Sequence, residues 1–181
     1  SGNGISSLNL LNNINLRSLE VNGTDLTSID LSNNANLKYL YIHDNSLTGI
    51  DLSNNLMLTQ LFINNAELST LDVSNNDSLR YINAGFNQLG TLDLSNKIKL
   101  RTVVVGNNEL ENVSLFNSNN DLEEVFLGGN NLTSMTFDDM PKLRVVDVQD
   151  NNLQSLSLKH GSSTFNSFSA ELIQSFILIF D

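Results

Sequence analysis

The chain has 181 residues, no cysteine, one proline and a formal net charge of -11, from 20 acidic against 9 basic side chains. That charge opposes a phosphate-rich partner, so neither nucleic acid nor an anionic membrane surface is expected to bind, and the missing cysteines exclude a disulfide framework, thiolate metal sites and a cysteine nucleophile. The longest apolar run, Phe176 to Phe180, is far too short to span a bilayer, and no membrane insertion is expected.

Residues 1–15 contain Ile5, Leu8, Leu10 and Asn13, which match the second half of a unit that then recurs. The chain thus opens in mid-coil, and because an open solenoid end exposes strand edges, further protein upstream is expected. Full units start at Leu16, Leu37, Leu58, Leu79 and Leu100, each 21 residues apart, then at Leu122 after a step of 22 and at Leu143 after 21. The extra residue falls in the polar stretch Phe116 to Asp121, where it disturbs no apolar position, and Pro141 also lies between strands. A fixed period of this size marks a stacked array rather than a globule. Within Leu37 to Asn55, LKYLYIHDNSLTGIDLSNN, each half alternates apolar and variable residues and ends three residues later in Asn45 or Asn55. Both halves read as short strands. Two strands and two Asn-rich turns leave no room for an ordinary helix. The predicted architecture is a right-handed, mostly β solenoid with parallel sheets, a convex side of turns or 3₁₀ and little α-helix. The array spans 1–164. Residues 165–181 read as a degenerate last repeat or cap: Phe165, Phe168 and Ala170 suit one strand, and Phe176 to Phe180 either closes the array or offers an edge for self-association.

Asn45, Asn87, Asn108, Asn130 and Asn151 follow the first strand at one offset, and stacked carboxamides there would satisfy buried turn backbone. Thr24 and Ala66 hold the same position. Thr24 can bond in part and Ala66 cannot, so the coil from Leu58 is expected to be locally looser.

The pattern L-x-x-L-x-I-x-x-N-x-L followed by x-x-I-D-L-S-N-N resembles the leucine-rich repeat proteins, in particular the short bacterial class whose 21-residue unit nests two L-x-x-L-x-L halves. The resemblance runs from Ile5 to about Leu158; L-D-L-S is lost from Ser114 onward, and cysteine caps are absent. It implies a binding role toward protein or glycan, as in surface and secreted proteins of the Bacteroidetes and in internalin-like proteins, and it brings no shared catalytic residues. A cell-surface or extracellular location follows from the same resemblance. The alternative is a structural spacer presenting another domain.

The variable positions of the first strand should form three outward columns, about 4.8 Å from coil to coil. The central one reads Glu20, Tyr41, Phe62, Asn83, Val104, Phe126, Asp147; the one before it Ser18, Tyr39, Gln60, Tyr81, Thr102, Glu124, Val145; the one after it begins Asn22, His43, Asn64. Tyr39, Tyr41, His43, Phe62 and Tyr81, rimmed by Gln60, Asn64 and Asn83, form the candidate ligand-binding patch. An exposed aromatic cluster with a polar rim suits recognition; an aromatic ladder that reinforces a parallel sheet is the competing reading.

A second column carries Asp30, Asp51, Asp72 and Asp93, each followed two residues later by serine. Like charges this close repel, so either hydrogen bonds along the ladder, from neighbouring hydroxyls and turn amides, or bound cations, calcium being the candidate, must offset them. The calcium-loop pattern of spaced aspartates ending in glycine is absent, so no metal site is expected. Only His43 and His160 could act as imidazole bases, and they fall at opposite ends of the array. With no convergent nucleophile, base and acid, neither catalytic residues nor a cofactor are expected.

Overall fold

A computed structural model of the chain describes residues 3–115, 121–159, 167–169 and 177–179. The first-half strands are β1 (Ser18–Glu20), β2 (Tyr39–Tyr41), β3 (Gln60–Phe62), β4 (Tyr81–Asn83), β6 (Thr102–Val104), β8 (Glu124–Phe126), β10 (Val145–Asp147) and β12 (Ser167–Ser169). They pair in that order as one parallel eight-stranded sheet. Its register sets Leu19, Leu40, Leu61, Ile82, Val103, Val125 and Val146 in one inward row. Every member of that row is buried, because period-two alternation sends the middle residue of each three-residue strand into the core. The described residues hold no helix, so the solenoid expected from the spacing is the fold.

The second half of the coil meets the expectation of a strand only from Thr91 onward. Strands β5 (Thr91–Asp93) and β7 (Asn112–Ser114) form one small parallel sheet, and β9 (Ser134–Thr136), β11 (Ser155–Ser157) and β13 (Ile177–Ile179) another. The equivalent segments Ser28–Asp30, Gly49–Asp51 and Thr70–Asp72 are not strands. Lateral pairing begins where the carboxylate column ends: Asp93 is paired with Ser114, whereas Asp30, Asp51 and Asp72 are each followed in the next coil by another aspartate. Like charges directly opposite destabilise a ladder. In the tail, β12 continues the large sheet beside β10, and β13 continues the small one beside β11. Phe165, Ala170, Phe176, Phe180, His160 and 116–120 lie outside the described residues.

Two buried columns tie the turns together. At the first turn, Asn45, Asn87, Asn108, Asn130 and Asn151 use both ends of the carboxamide. Asn87 is typical: Nδ2 donates to Ile63 O at 3.0 Å in the preceding coil and to Ala84 O at 3.1 Å in its own, while Oδ1 accepts from Leu68 N at 3.1 Å. Thr24 donates its hydroxyl to Asn45 Oδ1. At the second turn, Asn34, Asn55 and Asn76 donate only backward; Asn55 Nδ2 reaches Leu31 O at 3.2 Å and Asn34 O at 3.0 Å. Their Oδ1 atoms are buried without a protein donor. The next residue in that column is Lys97, 2% exposed, whose Nζ donates to Ser74 O at 2.8 Å and to Asp77 Oδ1 at 2.6 Å.

Ala66 interrupts the first column. The leucine N–H groups at 26, 68, 89, 110 and 132 are each held by an asparagine Oδ1 from the following coil. Leu47 N–H, opposite Ala66, has no such acceptor. Ala66→Asn should therefore stabilise the protein by about 1 kcal/mol, the ordinary net value of a buried hydrogen bond, read as a higher denaturant midpoint with an unchanged slope.

Candidate functional site

The outward columns fall as their spacing requires: Tyr39, Gln60 and Tyr81 share one row, and Tyr41, Phe62 and Asn83 the next. Rows this close bring planar side chains into contact. Phe62 stacks on Tyr41, with ring centroids 4.9 Å apart and planes 28° apart. It also stacks diagonally on Tyr81, at 4.5 Å and 18°. Tyr41 Oη donates to Gln60 Oε1 at 2.8 Å, so the middle of the patch is an ordered stack with its own hydrogen bond. Tyr39 is 39% exposed at the edge of this stack. Burial, and then the charge of Glu124, pushes the Tyr81 phenol above its ordinary value, so it stays neutral as a donor at physiological pH. His43 is held locally: its Nδ1 lies 2.7 Å from Asp44 Oδ2, and Asn65 Nδ2 donates to Asp44 Oδ1 at 2.6 Å. Those bonds, Asn65 first and His43 second, lower the Asp44 carboxyl. Among the described residues, this contact with Asp44 is the one hydrogen bond of the His43 ring.

Asn64 and Asn83 belong as much to a second feature. The third column continues past Asn64 as Gly85, Gly106, Gly128 and Gln149. A depression of about 210 Å³ opens over these glycines, with Asn64 and Asn83 at one end and Asp147 and Asp150 at the other. The glycines are needed for the close stacking of coils: a Cβ on Gly106 would lie 2.7 Å from Gly128 O, and one on Gly85 3.0 Å from Gly106 O. Phe86 and Phe126 supply its aromatic surface. The sequence signal was present, since the 21-residue step leads from Asn64 to Gly85 and Gly106, but the bare trough appears only once three glycines stack.

The acidic column sits on the opposite half of the coil and is exposed. In each turn Oδ1 accepts the N–H of the serine two residues on: Asp30 from Ser32 at 2.9 Å, Asp51 from Ser53 at 2.9 Å, Asp72 from Ser74 at 2.8 Å and Asp93 from Ser95 at 2.9 Å. Bonds from the serine hydroxyl and amide lower all four carboxyls; for Asp72 the amide bond is the larger cause. Hydrogen bonding within each turn, rather than along the column, offsets the repulsion.

No protein-family model matches the chain, and no curated protein matches it. Among solved structures, the chain is similar to the functional domain of InlJ from Listeria monocytogenes, with a TM-score of 0.79 and 27% identity over 87% of this chain and 35% of that one. That domain includes a cysteine ladder; here no cysteine exists, and asparagine is stacked from coil to coil. The leucine-rich effector YopM from Yersinia pestis is similar at a TM-score of 0.71 and 26% identity, covering 98% of this chain and 52% of that one. The leucine-rich repeat part of FLRT2, in an octameric complex with Latrophilin 3 and Unc5D, gives 0.61 at 20% identity over 80% of this chain and 57% of that one. The structural neighbours are leucine-rich repeat proteins, bacterial ones prominent among them, and the chain spans only about a third to a little over half the length of these three.

Two outcomes follow for the acidic face. Each carboxyl titrates below the ordinary 3.8 in the folded state, so its contribution is complete above that value and lost as pH falls through the lowered one. Acid should therefore destabilise the fold below this range, and Asp51→Asn should make the fall of the unfolding midpoint between about pH 5 and pH 2 shallower. Calcium at sub-millimolar concentration should leave the melting temperature nearly unchanged, because a cation held only by the native state would raise it; a large gain reversed by chelator would contradict this.

Proposed function

We propose that this chain is a non-enzymatic binding module of a bacterial surface or secreted protein and that it recognises protein or glycan through the outer face of the eight-stranded sheet. The observation that carries the reading is the Tyr41–Phe62–Tyr81 stack with exposed Tyr39 at its edge and Gln60, Asn64 and Asn83 beside it. A flat aromatic surface with adjacent carboxamides offers one face for stacking and neighbouring groups for hydrogen bonds. The leucine-rich repeat neighbours support a protein-binding role, and the presence of the FLRT2 repeat in a multiprotein complex fits it. Surface or secreted placement rests on the likeness to internalin-type repeats; no helix of the described residues is long and apolar enough to cross a membrane.

The test is a glycan and protein binding screen followed by the double variant Tyr41→Ala with Phe62→Ala. Affinity for any ligand found should fall by on the order of 2 kcal/mol or more if the rings are anchors, with the solenoid intact by circular dichroism. A folded variant that binds normally would leave the stack as sheet reinforcement only.

A further inference from the structure

Residues 23, 44, 65, 86, 107, 129 and 150 occupy one position, just before the buried column of the first turn, and all seven have positive φ. Six are Gly23, Asp44, Asn65, Asn107, Gly129 and Asp150, the residue types that tolerate a left-handed backbone. The seventh is Phe86, at φ 55°. A bulky aromatic is among the residues least suited to that conformation. Nor does burial compensate, since Phe86 is 61% exposed and stands in the wall of the glycine-floored depression. Folding accounts for neither its type nor its exposure, and a ligand stacked on the ring would account for both.

The rest of the wall indicates the ligand's chemistry. Phe126 adds a second ring, Asp147 and Asp150 add two carboxylates, and no basic side chain lines the depression. Asp147 spends one interaction on its own turn, accepting from Gln149 N at 3.1 Å. A volume of about 210 Å³ suits one long side chain rather than a folded element. A flat cation that stacks on an aromatic face and bonds carboxylates in pairs is a guanidinium. We infer that the trough over Gly85, Gly106 and Gly128 is a recognition site for an arginine side chain presented by a protein partner, with Phe86 as its aromatic contact and Asp147 and Asp150 as its charge partners. This rests on the reading that the outer sheet face is the recognition surface, and it assigns that face a second, cation-selective subsite.

The probe is a hexa-arginine peptide with blocked ends, titrated by calorimetry at about 0.15 M salt, where long-range attraction to the net charge is largely screened. Phe86→Asn and the pair Asp147→Asn with Asp150→Asn should each weaken binding at least tenfold. The pair Asp30→Asn with Asp51→Asn removes the same charge elsewhere and should change it less than twofold. Phe86→Asn should also raise the melting temperature, because asparagine suits the left-handed backbone, so loss of binding cannot be laid to unfolding. Absence of binding to the native protein, equal weakening by the Asp30/Asp51 pair, or a lowered melting temperature in Phe86→Asn would each overturn the inference. So would a neutral hexasaccharide that binds in place of the peptide and is lost in Phe86→Asn. The Tyr41/Phe62 double variant should leave peptide binding intact; a screened ligand lost in that variant, with no peptide bound to the native protein, would sink the arginine site and leave the aromatic patch standing.

Discussion

The structure depends on a buried carboxamide that must meet backbone groups in two coils at once. An asparagine at the first turn donates to carbonyls of its own coil and the one before, and accepts from the N–H of a leucine there. Leaving such groups unpaired in the interior would cost on the order of 1 to 3 kcal/mol each, so the offset between strand and asparagine cannot drift. The step from Leu100 to Leu122 is one residue longer, yet Asn108 and Asn130 keep the same distance from the start of their coils. Register therefore persists across the longer coil, and β6 still pairs with β8 without a slip.

A fixed register turns a one-dimensional spacing into a two-dimensional surface. Residues one period apart become lateral neighbours, and composition along each column decides local character. Rings dominate where Tyr41, Phe62 and Tyr81 meet. Glycines let coils close up and bare the backbone from Gly85, in the coil of Tyr81, to Gly128. The two regions share Asn64 and Asn83, so they form one continuous face whose chemistry passes from neutral and aromatic to acidic.

Most of this was legible from the residues because the two governing periods, two along a strand and 21 between strands, are independent of tertiary detail. The inward leucines, the outward columns and the first asparagine column followed from them. What escaped depended on neighbours or on backbone angle. The missing second-half strands coincide with the run of aspartates stacked from Asp30 to Asp72, a feature of neighbouring coils that no single unit displays. Phe86 reads as one more aromatic until its φ is known. The glycine column was followed only as far as Asn64, and its meaning comes from the 2.7 Å approach of Gly128 O to the place a Cβ would occupy on Gly106.

The second turn's column explains how a lysine can stand among asparagines. Asn34, Asn55 and Asn76 use only their amide hydrogens there, and their oxygens find no protein donor. That site asks for a donor alone, and an ammonium is nothing else. Lys97 meets the request, reaching back to Ser74 O while Asp77 balances its charge from the surface. At the first turn an ammonium could not accept from the leucine N–H, as an asparagine oxygen does there. The two columns thus have different alphabets: one joins coils in both directions wherever asparagine fills it, while the other joins them in one direction only and passes from Asn34, Asn55 and Asn76 to Lys97 and then to Met140, which is buried without a hydrogen to offer.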